Sequence, residues 1–135
     1  VLGIDLGVRR VGLALSDPLR IISSPLITIP MTSEHALVRS LADLCRARQV
    51  ALAVVGLPIS ANGNEGPGCA RARRVAEALT EAGVPAVVHD ERWSSRDAED
   101  ALRQTGKKRR NAKGKVDAMA ASLILRSYLE ESYRP

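Results

Sequence analysis

A chain of 135 residues with 45% apolar content and mixed charge is long enough for one domain with a real core, too short for two, and too apolar to be disordered. Its net charge of +5 is local, because residues 103–115, RQTGKKRRNAKGK, carry seven of the twenty basic residues and no acidic one. With no Phe, one Trp and two Tyr, the chain has too few rings for a base-stacking surface, so a polyanion drawn to that cluster would be held by its backbone.

Residues 1–6 and 11–16 read as two strands joined by Gly7-Val8-Arg9-Arg10, a hairpin. IISSPLITI (21–29) reads as a third strand, with Pro25 pointing to an edge or a bulge. Thr32 or Ser33 then caps a helix in which Leu37, Val38, Leu41, Leu44 and Cys45 form one stripe. ALAVVGL (51–57) is a short unbroken apolar run, as expected of a strand buried on both faces. The loop PISANGNEGPG leads into a helix over 69–82 that stops at Gly83 and Pro85. PAVVHDE (85–91) reads as a fifth strand, and Ser94 or Ser95 caps a short helix ending near Gly106. VDAMAASLILRSYLEE (116–131) reads as the final helix. Strands followed by strand–helix alternation predict one α/β domain over 1–135: a five-stranded mixed sheet, its first three strands antiparallel, with helices on both faces.

No segment has the roughly 20 apolar residues of a membrane span, and no signal-peptide pattern is visible. Val1 already lies in a strand, so an initiator Met and a short lead are expected ahead of it. Cys45 and Cys69 have no Cys or His nearby, which supports neither zinc nor a disulfide framework and leads to the expectation of a reduced, cytoplasmic chain.

Three carboxylates stand at positions where chemistry is built. In LGIDLG, alternation sends Leu2, Ile4 and Leu6 to one face and Gly3, Asp5 and Gly7 to the other, which leaves open space above Asp5. Glu91 follows the fifth strand, at the sheet end where α/β proteins place their sites; its plainer reading is a helix-start acid paired with Arg92 or Arg96. Asp90 faces the other way. Asp117, in the first turn of the last helix, shares a face with Ala120, Ala121 and Ile124; small residues there let that helix approach the sheet and bring Asp117 near Asp5. Converging carboxylates repel one another unless cations neutralise them, and hard Mg²⁺ or Mn²⁺ ions take such oxygen ligands. Two such ions about 4 Å apart can stabilise the attacking water and leaving oxygen of a phosphodiester displacement, with the glycines admitting metal and phosphate.

The segments GIDLGVRRVGLALSD, VVGLPISANGNEG, DERWSSRDAE and KGKVDAMAASLILRSYLE resemble, in order and spacing, the motifs of the YqgF/RuvX family. Members of that family have a ribonuclease H-like fold and are described as pre-16S rRNA nucleases or Holliday junction resolvase-like proteins. The resemblance covers nearly the whole chain and implies that Asp5, Glu91 and Asp117 are the catalytic, metal-binding acids, acting with Mg²⁺ or Mn²⁺ at a two-metal site. Trp93 stands where an aliphatic residue is expected. A fourth acid, frequent in such sites, is not assigned among Asp17, Asp90 and Asp97.

Arg9, Arg10, Lys107, Lys108, Arg109, Arg110, Lys113 and Lys115 are the candidate nucleic-acid contacts, against the plainer reading of the basic stretch as a solvated loop. Asn62, Gly63 and Glu65 form a candidate phosphate loop, or a plain strand-to-helix connection with an Asn-Gly turn. His35 and His89 read as structural or surface residues, with assistance near Glu91 a lesser alternative for His89. The opening GIDLG also begins the phosphate hairpin of actin-like ATPases, but those need two domains and a second glycine-rich segment that this chain lacks. A silent nucleic-acid-binding assembly factor is the other rival, and the three retained acids argue against it. The expected function is metal-dependent cleavage of structured nucleic acid, first in pre-16S rRNA 5′-end processing on the pre-ribosomal particle, alternatively in Holliday junction resolution. The expected state is monomer or homodimer, with no membrane partner.

Overall fold

The computed structural model describes residues 1–60, 62–91 and 113–132, with the side chains of 113–116 excepted. β1 (Leu2–Leu6), β2 (Arg10–Ser16), β3 (Ser23–Pro30), β4 (Ala53–Leu57) and β5 (Ala86–Asp90) form one sheet, in the order β3-β2-β1-β4-β5. β1–β2 and β2–β3 pair antiparallel, as the sequence predicts, and β1–β4 and β4–β5 pair parallel, which makes the sheet mixed. Pro25 satisfies both of its expectations: β3 is an edge strand, and the β2–β3 register shifts between Leu13 and Ala14, next to the Pro25 pairing.

Two helices cover one face of the sheet. α1 (Glu34–Ala47) begins where the Ser33 side chain accepts a hydrogen bond from the Ala36 amide, so Ser33 is the cap. α2 (Pro67–Glu81) starts two residues earlier than periodicity suggests, because Pro67 is preorganised for the first helical position. Leu37 and Leu41 of α1 and Val75 and Leu79 of α2 pack with Leu2, Ile4, Val11, Leu13 and Val55 of the sheet. Cys45 and Cys69 are buried thiols on that same side.

The third helix, α3 (Lys113–Ser132), is the one that covers the opposite face among the described residues. Its Ala121, Ile124, Leu125 and Leu129 pack against Ala14 and Val54. The helix begins a turn earlier than expected, so Asp117 lies in its second turn rather than its first. An interior glycine costs a helix only about 1 kcal/mol, and Gly114 does not stop this one. Among the described residues no helix is long and apolar enough to cross a membrane. The short helix expected between Ser94 and Gly106, with Asp97 and Lys107–Arg110, lies outside the described residues.

Candidate active site

Asp5 lies one residue from the C-terminal end of the central strand, on the face that α3 covers. Its antiparallel partner on β2 is Gly12, and a Cβ at Gly12 would strike the Asp117 carbonyl oxygen. The helix backbone therefore rests directly on β2 beside Asp5, and this contact brings Asp117 to the site. The space above the β1 glycines is not open, which corrects the expectation from sequence. A Cβ at Gly3 would lie 2.8 Å from Leu125 Cβ and 2.9 Å from the Ala121 carbonyl, so α3 fills that volume. Gly7 is pressed against the Arg10 carbonyl in the hairpin turn. These glycines admit a helix and a turn, not a ligand.

Glu91 leaves β5 with its amide donating to the Leu57 carbonyl at 3.2 Å, which continues the β4–β5 ladder by one bond. Its side chain lies over Gly56, where a Cβ would strike Oε2 and approach Ile124 Cδ1 at 2.7 Å. Glu91 Oε2 is buried without a hydrogen-bond partner. A side-chain hydrogen bond joins the Glu91 and Asp5 carboxyls, which requires a proton on one of them. Burial, then the Asp117 charge, push the Asp5 carboxyl up to about 6, against the opposing effect of that bond. Burial, the Asp5 charge, the bond to Asp5 and the Asp90 charge push Glu91 up to about 8. Both carboxyls are thus pushed above the ordinary range, and the two titrate as a unit.

Asp117 completes the group, but Arg10 holds it: Nε donates to Asp117 Oδ2 at 2.9 Å. Among the described residues no three His, Cys, Asp or Glu side chains are grouped tightly enough to hold one ion. What the site does contain fits a hard divalent cation. Two carboxyls are hydrogen-bonded to each other in a partly buried cleft, one buried oxygen lacks a partner, and a third carboxylate lies within electrostatic reach. An oxygen-only donor set of this kind suits Mg²⁺ or Mn²⁺ rather than a thiophilic metal.

The other candidates fall in distinct places. Arg9 is exposed at the hairpin beside the site. Lys113 and Lys115 lie on the first turn of α3. The 58–66 loop closes on itself: the Gly63 amide donates to the Ser60 carbonyl at 2.8 Å, and the Asn64 amide to Ser60 Oγ at 3.2 Å and Asn62 Oδ1 at 3.3 Å. Those amides serve the turn, which Gly63 makes with a φ of +87°. Glu65 is taken up by Arg73, whose Nη2 donates to both carboxylate oxygens at 2.9 and 3.1 Å. Asp17 accepts from the Ile21 and Ile22 amides at 2.7 Å each, in the β2–β3 turn at the end of the sheet away from Asp5. Those bonds hold its carboxyl below the ordinary aspartate value. His89 is fixed on α3, with Nε2 3.0 Å from Ser127 Oγ and its ring edge-on to Tyr128.

Sequence reasoning overlooks Arg71. From α2 its Nη2 donates to the Leu6 and Gly7 carbonyls at 3.1 Å each, tying down the end of β1 just beyond Asp5. An Arg on an amphipathic helix gives no sequence signal for such a contact. Gly12 and Gly56 are also overlooked, although a glycine inside an apolar strand marks a close approach.

Known proteins resemble this chain over nearly its whole length. A 42% identical protein of Anaeromyxobacter sp. (strain Fw109-5), aligned over 96% of this chain and 95% of its own length, carries the name "Putative pre-16S rRNA nuclease". So does a 39% identical protein of Chloroflexus aggregans, aligned over 100% of this chain and 96% of its own. Thermus thermophilus RuvC superposes with a TM-score of 0.58 at 18% identity, over 97% of this chain and 95% of that one. Fowlpox virus resolvase, solved with Holliday junction DNA, does so with a TM-score of 0.58 at 11% identity, over 98% of each chain. The shared fold is the ribonuclease H-like one. The family model described as "RuvX: Holliday junction resolvase" matches residues 1–131, and the chain belongs to the RuvX family.

Proposed function

We propose that this protein is a divalent-metal-dependent nuclease that hydrolyses phosphodiester bonds of structured nucleic acid, and that it acts in maturation of the pre-16S rRNA 5′ end. The observation that carries the reading is the buried Glu91 carboxyl bonded to Asp5, with its Oε2 left unpartnered, at the C-terminal ends of β1 and β5. Two carboxyls held this close are a poor structural choice and a good cation site. The names carried by relatives about 40% identical support the substrate class.

Asp5, Glu91 and Asp117 are the metal-binding residues in this reading. When bound, Mg²⁺ or Mn²⁺ supplies an activated water and stabilises the leaving oxygen. The chain's own part is to position and neutralise. Asp5 is fixed by the β1–β2 ladder and by Arg71 behind Leu6 and Gly7. To hold a cation Glu91 would have to be ionised, its proton passing to solvent. Arg9 and the basic stretch 107–110 contact phosphates, as do Lys113 and Lys115 at the start of α3; none of them reads bases.

Junction resolution is the second reading, favoured by the RuvC-like fold and by the family model's own description. It requires symmetric cleavage of two strands and so a dimer. Digestion of a structured RNA with a 5′ extension, side by side with a four-way DNA junction, separates the two when paired with mass measurement in solution. RNA cleavage by a monomer supports rRNA processing; symmetric junction cleavage by a dimer supports the alternative.

A further inference from the structure

Asp117 reaches the site because α3 rests on Gly12, and its carboxylate already has a cation there. Arg10 opens β2 two residues before Gly12, on the same face of the sheet as Asp5. Among the described residues, the Arg10–Asp117 pair is the one salt bridge made by any of the three carboxylates. The guanidinium thus sits on the carboxylate that a metal ion would need.

Two features make this contact exchangeable. The side chains are 38% and 23% exposed, so the pair is open to water and ions. A single Nε donor bridges to one oxygen at 2.9 Å, without the two-pronged geometry that makes Arg–carboxylate pairs strong. A divalent ion gathering several oxygens outcompetes such a contact.

We propose that Arg10 is a placeholder for the divalent cation: in the metal-free protein its guanidinium occupies Asp117, and the ion binds by displacing it. The proposal rests on the metal-dependent reading above. It explains how three carboxylates are kept together without an ion, and it releases a cationic side chain beside the site at the moment the ion arrives.

The test is Mn²⁺ binding by the whole chain at fixed ionic strength, followed by the electron paramagnetic resonance of free ion, for wild type, Asp5→Asn, Arg10→Gln and Arg10→Lys. Removing an exposed ion pair that competes with the ion should tighten Mn²⁺ binding in Arg10→Gln by about two- to fivefold. Arg10→Lys, which keeps the charge, should return toward wild-type affinity, and its folded circular dichroism controls for misfolding. In a parallel Mg²⁺ titration, the Arg10 Nε–H resonance, assigned by its disappearance in Arg10→Gln, should lose its salt-bridged shift at the midpoint of ion binding. Unchanged or weaker Mn²⁺ binding in Arg10→Gln, or an Nε–H resonance unmoved by Mg²⁺, overturns the placeholder alone, provided wild type binds the ion and Asp5→Asn does not. A wild-type protein that binds no ion overturns the metal-dependent reading and this inference with it.

Discussion

Asp5 shows how a single residue can be costly to the fold and useful to the site. Its carboxyl and that of Glu91 titrate above their ordinary values in the folded chain. Between the unfolded values near 4 and the folded values of about 6 and about 8, the folded state therefore holds more protons than the unfolded one. The stability tied to that proton is present at pH 4 and is lost as pH rises through 6 to 8. In EDTA, Asp5→Asn should be more stable than wild type at pH 8, by about 2 kcal/mol, with the difference vanishing near pH 4. Thermal melts of both proteins from pH 4 to 9 check this. A difference independent of pH would show that Asp5 acts by packing rather than by charge.

At the scale of elements, the site depends on how closely α3 lies on the sheet. Gly12 and Gly56 both permit that approach, but what each touches differs. A methyl at Gly12 meets helix backbone at Asp117, which cannot move without lifting α3, whereas a methyl at Gly56 meets the ends of the Glu91 and Ile124 side chains. Gly12→Ala should therefore cost about 1–3 kcal/mol of stability. Gly56→Ala should cost less than about 1 kcal/mol, yet displace the Glu91 carboxylate and weaken Mn²⁺ binding. Denaturant unfolding and ion titration of the two variants measure the contrast. The same close approach explains which parts of the fold were legible in the sequence. The antiparallel pairing of the first three strands and the two-faced sheet followed from alternation, and a buried strand from the unbroken apolar run at 51–57, of which the structure buries 53–57; the order of the strands comes from the structure. Asp5 and Glu91 were legible as candidates from their strand positions, whereas the pattern places Asp117 in the first turn of a helix that starts a turn earlier. The volume above Gly3 was not, because pattern records that a residue lacks a Cβ but not what fills the gap. Arg10 on Asp117 and Arg71 on the β1 carbonyls escaped for a related reason: partners 107 and 64 or 65 positions apart leave no local trace.

For the whole molecule, charge is segregated. Outside residues 103–115 the chain is slightly acidic, so any long-range attraction for a polyanion comes from that stretch and its neighbours. Replacing Lys107, Lys108, Arg109 and Arg110 by neutral residues should weaken binding of structured RNA across sequences. It should also reduce the slope of log affinity against log salt by roughly 0.7–0.9 for each phosphate that is no longer neutralised. Turnover at saturating substrate should fall far less than affinity, since uniform binding energy lowers KM without raising kcat. A salt titration paired with single-turnover cleavage makes the measurement; an unchanged slope would mark the stretch as a solvated loop.

The most direct test of the central claim is single-turnover cleavage of a 5′-extended structured RNA by wild type and Asp5→Asn, across a titration of Mg²⁺ and of Mn²⁺. Wild type should be inactive in EDTA and saturate with either ion. Asp5→Asn should bind the RNA normally and cleave it at least about a hundredfold more slowly at any ion concentration, because the stabilisation at stake is several kcal/mol. Undiminished cleavage by folded Asp5→Asn at saturating metal would contradict the assignment of the carboxylates.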